Sequence, residues 1–213
     1  MICVSISESN FEKCLELVKK FELAEVRLDL CRFNTSQIEK IFSSGQRLIA
    51  TYRPSKEVTE KERAEGLLAA IRSGAKYVDV EIETDYAFKH NIITEAVLHN
   101  CDVIISYHNF EHTPTLEQLK IVINQCFDMG ANVAKVACMV NEPSDNARLL
   151  ALYQSGKRIV ALGMGELGKI SRIAAPFMGA EFTFASANDE FSTAPGQISY
   201  YKLNTIIELL KNS

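Results

Sequence analysis

Residues 132–140, Asn-Val-Ala-Lys-Val-Ala-Cys-Met-Val, form an apolar, β-branched run with Lys135 near its centre. A run of this length and composition predicts a buried strand. Residues 101–107, Cys-Asp-Val-Ile-Ile-Ser-Tyr, form a second such run, and His108 follows it. A lysine buried in a strand can lose its proton because desolvation disfavours the ammonium ion, and the free amine is a nucleophile. The alternative is a lysine whose ammonium group reaches water beside an unrelated histidine, and these two residues alone favour that alternative.

On both sides of this stretch, β-rich runs alternate with amphipathic helical patterns along the whole chain. The predicted strands are residues 2–6, 24–29, 47–52, 77–82, 102–107, 133–138, 158–162 and 181–185. The predicted helices are residues 10–20, 35–42, 59–73, 86–99, 115–129, 143–154, 167–175 and 199–210. Eight strands alternating with eight helices predict a compact (β/α)8 TIM barrel, since a doubly wound sheet seldom has so even a count.

The composition is that of an ordinary globular protein. With 213 residues, 47% of them hydrophobic and 23% charged, we expect one barrel domain over residues 1–213. The formal net charge is -4 and the basic residues are scattered, so we expect no nucleic-acid partner. No apolar stretch approaches the ~20 residues of a membrane span, and the N-terminus lacks the pattern of a signal peptide. These features predict a cytoplasmic protein with no membrane partner.

The cysteines give no sign of a disulfide framework. None of them forms a C-x-x-C pair, and several lie in apolar patterns typical of buried free thiols. The six are Cys3, Cys14, Cys31, Cys101, Cys126 and Cys138. We expect no disulfides and no structural zinc.

Polar residues collect where a barrel would place an active site, at the C-terminal ends of the strands. They are Arg27, Asp29, Arg53, Glu81, Glu83 and His108, at or after predicted strand ends, with Lys135 inside the sixth strand. Three arginines, Arg27, Arg53 and Arg172, suit a carboxylate or phosphate ligand through bidentate hydrogen bonds. Some of these residues can instead be structural ion pairs, with Glu25, Asp29, Asp79 or Glu81 as the acidic partners.

Two motif matches point elsewhere and are set aside. Residues 108–112 fit the zinc pattern H-x-x-E-H, but Pro114 follows at once and zinc binding needs both histidines on one helical face. We therefore expect no metal and a surface position for His112. Residues 163–168 fit G-x-G-x-x-G, but a dinucleotide fold needs more sheet than the one strand that remains downstream. These glycines instead predict a tight loop over a ligand, beside a helix N-terminus.

Seven blocks in order give the chain a resemblance to a known family. They are Glu25-Val-Arg-Leu-Asp29, Thr51-Tyr-Arg53, Val78-Asp-Val-Glu81, Ser106-Tyr-His-Asn-Phe110, Ala134-Lys-Val-Ala137, Gly165-Glu-Leu-Gly-Lys-Ile-Ser-Arg172 and Ala194-Pro-Gly-Gln197. In this constellation the chain resembles the type I 3-dehydroquinate dehydratases, Schiff-base barrels of the shikimate pathway, over nearly its whole length.

The resemblance implies roles for nine residues. Lys135 corresponds to the imine-forming lysine, His108 to the general acid/base, and Glu57 to the carboxylate that orients that histidine. Glu25, Arg27, Arg53, Arg172, Thr193 and Gln197 match substrate-binding positions. The family often has Glu-Gly-Gly where this chain has Glu57-Val-Thr, and Glu65-Gly66 is an alternative anchor for that carboxylate. The resemblance also implies a homodimer with 3-dehydroquinate as its small-molecule substrate.

The implied chemistry suits these residue types. A ketone condensed with the Lys135 amine becomes an iminium that stabilises a carbanion beside it. His108 can take the proton from that carbon and return it to the departing hydroxyl. Arg172 is the candidate clamp for the substrate carboxylate. The reaction requires no metal or organic cofactor.

Two other functions remain open for a barrel with a buried lysine. A class I aldolase shares the barrel and the imine but cleaves a carbon–carbon bond, and a binding protein for a sugar-like acid would form no imine. The polar segment 186–197 predicts a lid over the barrel mouth that becomes ordered with ligand, and the alternative is a simple connector.

Overall fold

A computed structural model describes residues 1–188 and 193–212 of the protein. Its strands are Ile2–Ile6 (β1), Leu23–Arg27 (β2), Leu48–Thr51 (β3), Tyr77–Glu81 (β4), Asp102–Asn109 (β5), Val133–Met139 (β6), Ile159–Met164 (β7) and Thr183–Ser186 (β8). They form one parallel sheet in the order β7-β6-β5-β4-β3-β2-β1-β8. Across the remaining seam the Glu181 N–H donates to the Ile159 carbonyl at 3.0 Å. The sheet is thus a nearly closed barrel, and the predicted (β/α)8 fold is confirmed.

Helices alternate with these strands and cover the outside of the barrel. They are Phe11–Val18 (α1), Leu28–Cys31 (α2), Thr35–Phe42 (α3), Glu60–Arg72 (α4), Tyr86–Leu98 (α5), Leu116–Asp128 (α6), Pro143–Ala151 (α7), Lys169–Ala174 (α8) and Tyr200–Lys211 (α9). Side-chain caps fix several helix starts. Thr59 and Glu62 form a capping box at α4, as Thr115 and Gln118 do at α6, because each pair satisfies backbone N–H groups that the first turn leaves unpaired.

Strand periodicity sorts the barrel interior into layers. The lower interior is apolar and contains Cys3, Leu23, Ile49, Tyr77, Ile104, Val133, Val160, Leu162, Phe182 and Phe184. Two residues further along each of six strands, on the same face, come Ser5, Glu25, Thr51, Asp79, Ser106 and Lys135. These polar residues are all buried. The barrel interior therefore has a polar layer on the C-terminal side of an apolar layer.

Most strand ends differ from the prediction by one or two residues, and two of these differences change the position of a polar residue near the barrel mouth. β2 ends at Arg27, and Asp29 lies in the short helix α2 rather than in the strand. The two Asp29 carboxylate oxygens accept hydrogen bonds from Arg27 Nε and Nη2 at 3.0 and 2.7 Å, which ties this turn to the strand end. β5 extends to Asn109, so His108 lies within the strand instead of after it. The reason is that β5 pairs with β6 as far as Asn109 and Cys138.

Two further features bear on the class of protein. All six cysteines are buried free thiols. Among the described residues, no helix combines the length and the apolar character that a membrane crossing requires.

Candidate active site

A cavity of about 470 Å³ opens at the C-terminal ends of the strands. Eight of the nine residues predicted to form the site line it, namely Glu25, Arg27, Arg53, His108, Lys135, Arg172, Thr193 and Gln197. These residues are spread over 173 positions of the chain, from 25 to 197. They meet because parallel strands in a barrel bring their C-terminal ends to one face.

Lys135 lies deep in this cavity and does not extend to water. Its exposed fraction is 5%. Nζ lies 2.8 Å from Asp79 Oδ2, 3.6 Å from Glu25 Oε1 and 4.3 Å from the centroid of the Phe184 ring. The sequence predicted an amine within an apolar run, whereas the structure surrounds it with two carboxylates and one aromatic face. The ammonium charge is therefore compensated inside the barrel.

Asp79 connects the lysine to the rest of the polar layer. Its side chain is fully buried, accepts a hydrogen bond from Ser106 Oγ at 2.6 Å and pairs with Arg53 Nη2 at 2.9 Å. Burial would raise the pKa of Asp79, but the charges of Arg53 and Lys135 outweigh it and hold the pKa well below its usual range. Asp79 is thus an anion that fixes two cations at once.

From the sequence, Asp79 is indicated only as a possible structural partner of an arginine. The period of β4 could have indicated its place at the site, because Tyr77, Asp79 and Glu81 are every second residue of the strand and share its inward face. Ser106, which lies beside Lys135 in the register of β5 and β6, was likewise not singled out.

Glu25 is the second carboxylate near the lysine, with Oε1 3.6 Å from Nζ. Its carboxylate accepts hydrogen bonds from Ser5 Oγ at 2.7 Å and Thr51 Oγ1 at 2.9 Å. Burial acts to raise the pKa of Glu25, but the charges of Lys135 and then Arg27 act in the other direction, and the net shift is downward. Glu25 is therefore a second anion next to the amine.

His108 lies at the cavity wall with its ring stacked on Phe110, the two ring centroids 6.1 Å apart. Burial lowers the pKa of His108 well below 6.5. The charges of Arg53 and Lys135 lower it further, while Asp79 opposes them. The imidazole is thus neutral at physiological pH and able to accept a proton.

The three predicted anion-binding arginines differ in how they are paired. Arg27 is held by Asp29, and Arg53 Nη1 donates to Glu81 Oε1 at 2.7 Å and Ser106 Oγ at 3.1 Å. These two arginines form the structural ion pairs that the sequence left open, while their side chains still line the cavity.

Arg172, on α8, is only 2% exposed, and its Nε has no hydrogen-bond partner among the described residues. Desolvation lowers the pKa of Arg172 to about 10. A buried cation that faces a cavity with an unmet donor is suited to an anionic ligand.

Glu57 is the one predicted site residue that the structure does not bring to the others. Its side chain is 70% exposed and pairs with Arg32 Nη2 at 2.5 Å, and it does not line the cavity. The physical reason is its place in the loop between β3 and α4, which runs over the surface in this conformation. In the described structure His108 makes no hydrogen bond to Glu57.

The segment after β8 closes one side of the cavity. The Thr193 backbone N–H and hydroxyl both donate to Gln197 Oε1, at 2.8 and 3.2 Å. The Gly165 N–H donates to the Pro195 carbonyl at 3.2 Å. Gly196 has φ +74°, and a Cβ there would lie 2.2 Å from the Gly165 carbonyl oxygen, so this contact requires glycine. The rest of the predicted lid, residues 189–192, lies outside the described residues.

The structure explains the two motif matches, H-x-x-E-H at residues 108–112 and G-x-G-x-x-G at residues 163–168, without a metal or a dinucleotide. His112 is exposed, and no group of three potential metal ligands comes together in residues 1–188 and 193–212. In the glycine motif, a Cβ at Gly163 would lie 2.7 Å from the Gly168 Cα. These glycines allow β7 and the start of α8 to approach closely, which places Arg172 at the cavity.

The chain is similar to known proteins over nearly its whole length. The family model of type I 3-dehydroquinase matches residues 2–213. A 3-dehydroquinate dehydratase of Methanosarcina barkeri is 33% identical, over 94% of this chain and 92% of the relative. A second, from Thermococcus gammatolerans, is 36% identical over 89% of this chain and 88% of the relative. The crystal structure of 3-dehydroquinate dehydratase from Aquifex aeolicus superposes with a TM-score of 0.82 and 27% identity, covering 98% of each chain.

Proposed function

The chain belongs to the type I 3-dehydroquinase family, and from that premise we propose how its residues carry out the reaction. The protein is a hydro-lyase that converts 3-dehydroquinate to 3-dehydroshikimate in the shikimate pathway, through the lysine Schiff base characteristic of type I enzymes. The observation that supports the residue assignment is Lys135, a buried lysine paired with Asp79 at the centre of the cavity. We assign Lys135 as the amine that condenses with the ketone.

The proposed reaction begins with imine formation. The Lys135 ammonium gives a proton to His108, and the resulting amine attacks the ketone carbon. His108 returns that proton to the carbinolamine hydroxyl, which leaves as water and gives a protonated imine. That positive nitrogen replaces the ammonium charge between Asp79 and Glu25, at 2.8 and 3.6 Å from the amine in the free enzyme. The two carboxylates therefore stabilise the cation before and after condensation.

Elimination follows from the position and charge of His108. As a neutral base it takes a proton from the carbon beside the imine, and the electron pair passes into the iminium. The same proton then goes to the β-hydroxyl, which departs as water. Hydrolysis of the conjugated imine by another water releases the product and restores the Lys135 amine. The net change is the loss of one water from the substrate.

The remaining cavity residues are proposed to bind and orient the substrate. Arg172 is assigned to the substrate carboxylate, because its buried guanidinium carries an unmet donor. Glu25, Arg27 and Arg53 are assigned to the polar substituents near the imine. Thr193 and Gln197 line the cavity and are assigned to ring hydroxyls.

Glu57 stays a prediction as the residue that orients His108. To contact the histidine its loop would have to release Arg32. An exposed ion pair of this kind contributes only about 0–1 kcal/mol, so that change is inexpensive. A homodimeric assembly, a cytoplasmic location and a single catalytic domain over residues 1–213 are further parts of this proposal. Light scattering of the purified protein tests the dimer.

Borohydride reduction in the presence of 3-dehydroquinate, followed by peptide mass mapping, tests the assignment of the amine. We expect reduced ligand on Lys135 and on no other lysine. Lys135→Ala should be inactive, and so should Lys135→Arg, because a guanidinium stays protonated and cannot condense with a ketone. Activity in either variant would overturn the assignment. Appearance of the ultraviolet absorbance of a conjugated enone separates dehydration from aldol cleavage.

A further inference from the structure

Arg63 is a buried arginine outside the cavity. It lies on α4, on the outer side of the barrel wall, and only 2% of it is exposed. Its Nε donates to the Tyr52 carbonyl at 2.6 Å, Nη1 donates to Glu60 Oε2 at 3.1 Å, and Nη2 pairs with Glu81 Oε2. Three different nitrogens of a planar guanidinium thus contact a backbone carbonyl and two carboxylates at once, a spread of donors that the single nitrogen of a lysine lacks.

The surroundings hold this guanidinium in one orientation. Its central carbon lies 4.5 Å from the centroid of the Phe88 ring, and Nη2 also donates to Thr84 Oγ1 at 3.3 Å. Burial of a charge is costly unless its hydrogen bonds are met. At Arg63 the acceptors come from β4, from the turn after it, and from the residue that follows β3. The side chain therefore links three parts of the barrel wall.

Two of these acceptors, the Tyr52 carbonyl and the Glu81 carboxylate, are directly connected to Arg53. Tyr52 directly precedes Arg53, and Glu81 accepts from Arg53 Nη1 on Oε1, the oxygen that Arg63 leaves free. Glu81 is thus shared by the two arginines. α4 also packs against Tyr52 itself, since a Cβ at Gly66 would lie 2.9 Å from the tyrosine ring. The backbone before Arg53 and the partner of its guanidinium are both fixed from the same helix.

We propose that Arg63 is a positioning residue that holds Arg53 in its binding orientation, through the Glu81 carboxylate and the Tyr52 carbonyl. This inference rests on the proposed role of Arg53 as a substrate contact. Arg53 also donates to Ser106 and pairs with Asp79, the partner of Lys135. Because Asp79 contacts both Arg53 and Lys135, a displacement of Arg53 would also change the surroundings of the Lys135 amine.

Arg63→Met and Arg63→Lys test the inference, with Leu67→Ala as the matched control. Leu67 is fully buried on the same helix but belongs to the apolar packing and makes no link to Glu81. All three changes should lower the free energy of unfolding. At a temperature where each variant is folded, Arg63→Met should reduce kcat/KM for 3-dehydroquinate about 10- to 100-fold, mainly through KM, because small displacements of binding groups are costly. Leu67→Ala should stay within about twofold of the parent enzyme.

Arg63→Lys should recover part of the loss, since its ammonium can pair with Glu81 but cannot also reach the Tyr52 carbonyl. If Arg63→Met does not fold, Arg63→Lys and its combination with Glu81→Gln decide the question. Because part of the effect is proposed to pass through Glu81, the double variant should lose less than the sum of the two single variants. Kinetic effects of Arg63→Lys that match Leu67→Ala, or that add fully to Glu81→Gln, would overturn the inference.

Arg53→Met, measured in parallel, separates this inference from the proposed substrate contact. If Arg53→Met leaves KM unchanged, the substrate role of Arg53 is wrong and the inference fails with it. If Arg53→Met raises KM but neither Arg63 variant does, the substrate role stands and only the positioning role is wrong.

Discussion

Lys135 Nζ donates to Asp79 Oδ2 at 2.8 Å, and the two residues are 56 positions apart in the chain. Both side chains are almost completely removed from water, so the pair is stable only because further partners share its charge. Arg53 and Ser106 complete the environment of the carboxylate, and Glu25 adds a second negative charge near the amine. The amine to which we assign imine formation thus lies between two carboxylates that compensate its charge.

Asp79→Asn should impair both folding and imine formation. It leaves the Lys135 and Arg53 cations with less compensation in a buried place, and the loss of one partner of a buried pair costs about 3–5 kcal/mol. Urea denaturation and the rate of borohydride trapping measure the two effects. Ser106→Ala is the milder control, with an expected cost of about 1 kcal/mol for one neutral donor. Trapping at the parental rate in Asp79→Asn would contradict a role for this carboxylate at the amine.

His108→Ala should separate proton transfer from condensation. Turnover should fall by at least about 10²–10⁴-fold, because a positioned acid/base group contributes that much and this one serves more than one step. Adducts on Lys135 should still accumulate, slowly. Single-turnover trapping followed by mass spectrometry measures both. Near-parental turnover would remove His108 from the mechanism.

The acid side of the pH profile should also report on His108. Its pKa lies well below 6.5 through burial first and then through the charges of Arg53 and Lys135, with Arg27 adding to them and Asp79 opposing. The base form therefore persists as pH falls past 6.5, and kcat/KM should decline only near the lowered pKa. Between that pKa and 6.5 the unfolded chain binds more protons at His108, so His108 makes the fold less stable as pH falls. A kcat/KM midpoint at or above 6.5 would contradict a neutral, buried base.

Arg172→Met should weaken substrate binding while leaving the free protein as stable or more stable. Removal of a charge-assisted contact costs about 1.5–3 kcal/mol, or roughly 10- to 150-fold in affinity. Arg172 has an unmet donor and a pKa lowered to about 10 by burial, so an apolar chain of similar length relieves a desolvation cost. Calorimetry measures the loss of substrate affinity, and denaturation of the free protein measures the change in its stability. A large loss of stability with unchanged affinity would assign Arg172 to the fold instead.

Glu57→Gln tests whether the exposed carboxylate acts on His108 during turnover. If it does, kcat should fall about tenfold or more, which is less than the ~10²–10⁴-fold effect of a direct acid/base group because Glu57 would act only through His108. Arg32→Ala is the matched control, because it removes the same surface ion pair without changing the carboxylate. That variant should keep the parental kcat. Equal, small effects in both variants would leave Glu57 as a surface residue, and the sequence-based role would be wrong.

Gln197→Ala should weaken substrate binding more than it disturbs folding. Gln197 lines the cavity and accepts from Thr193, so its loss changes both a proposed substrate contact and the segment beside it. Hydrogen exchange across residues 186–197 should slow once the covalent adduct forms, as expected of a lid that excludes water from the iminium. Identical exchange with and without ligand, together with unchanged kinetics, would favour a connector.

The sequence by itself determined the barrel and most of the candidate site. Strand and helix periods are local properties, so an apolar run such as residues 132–140 predicts its strand without knowledge of the rest of the chain. The barrel rule then places strand ends on one face, which is why Lys135, His108 and Arg172 were found together. Strand ends were less certain, since the ladder between β5 and β6 and the turn at Asp29 depend on neighbouring chain segments.

Only the tertiary structure decided which charges are paired. Asp79 meets Lys135, Arg27 and Arg53 have carboxylate partners, Arg172 has an unmet donor, and Glu57 faces solvent. None of this follows from residue type, because the energy of a buried charge depends on distances of a few ångströms between strands far apart in sequence. The sequence supplies the ionisable groups, and closure of the barrel determines their separations and therefore their chemistry.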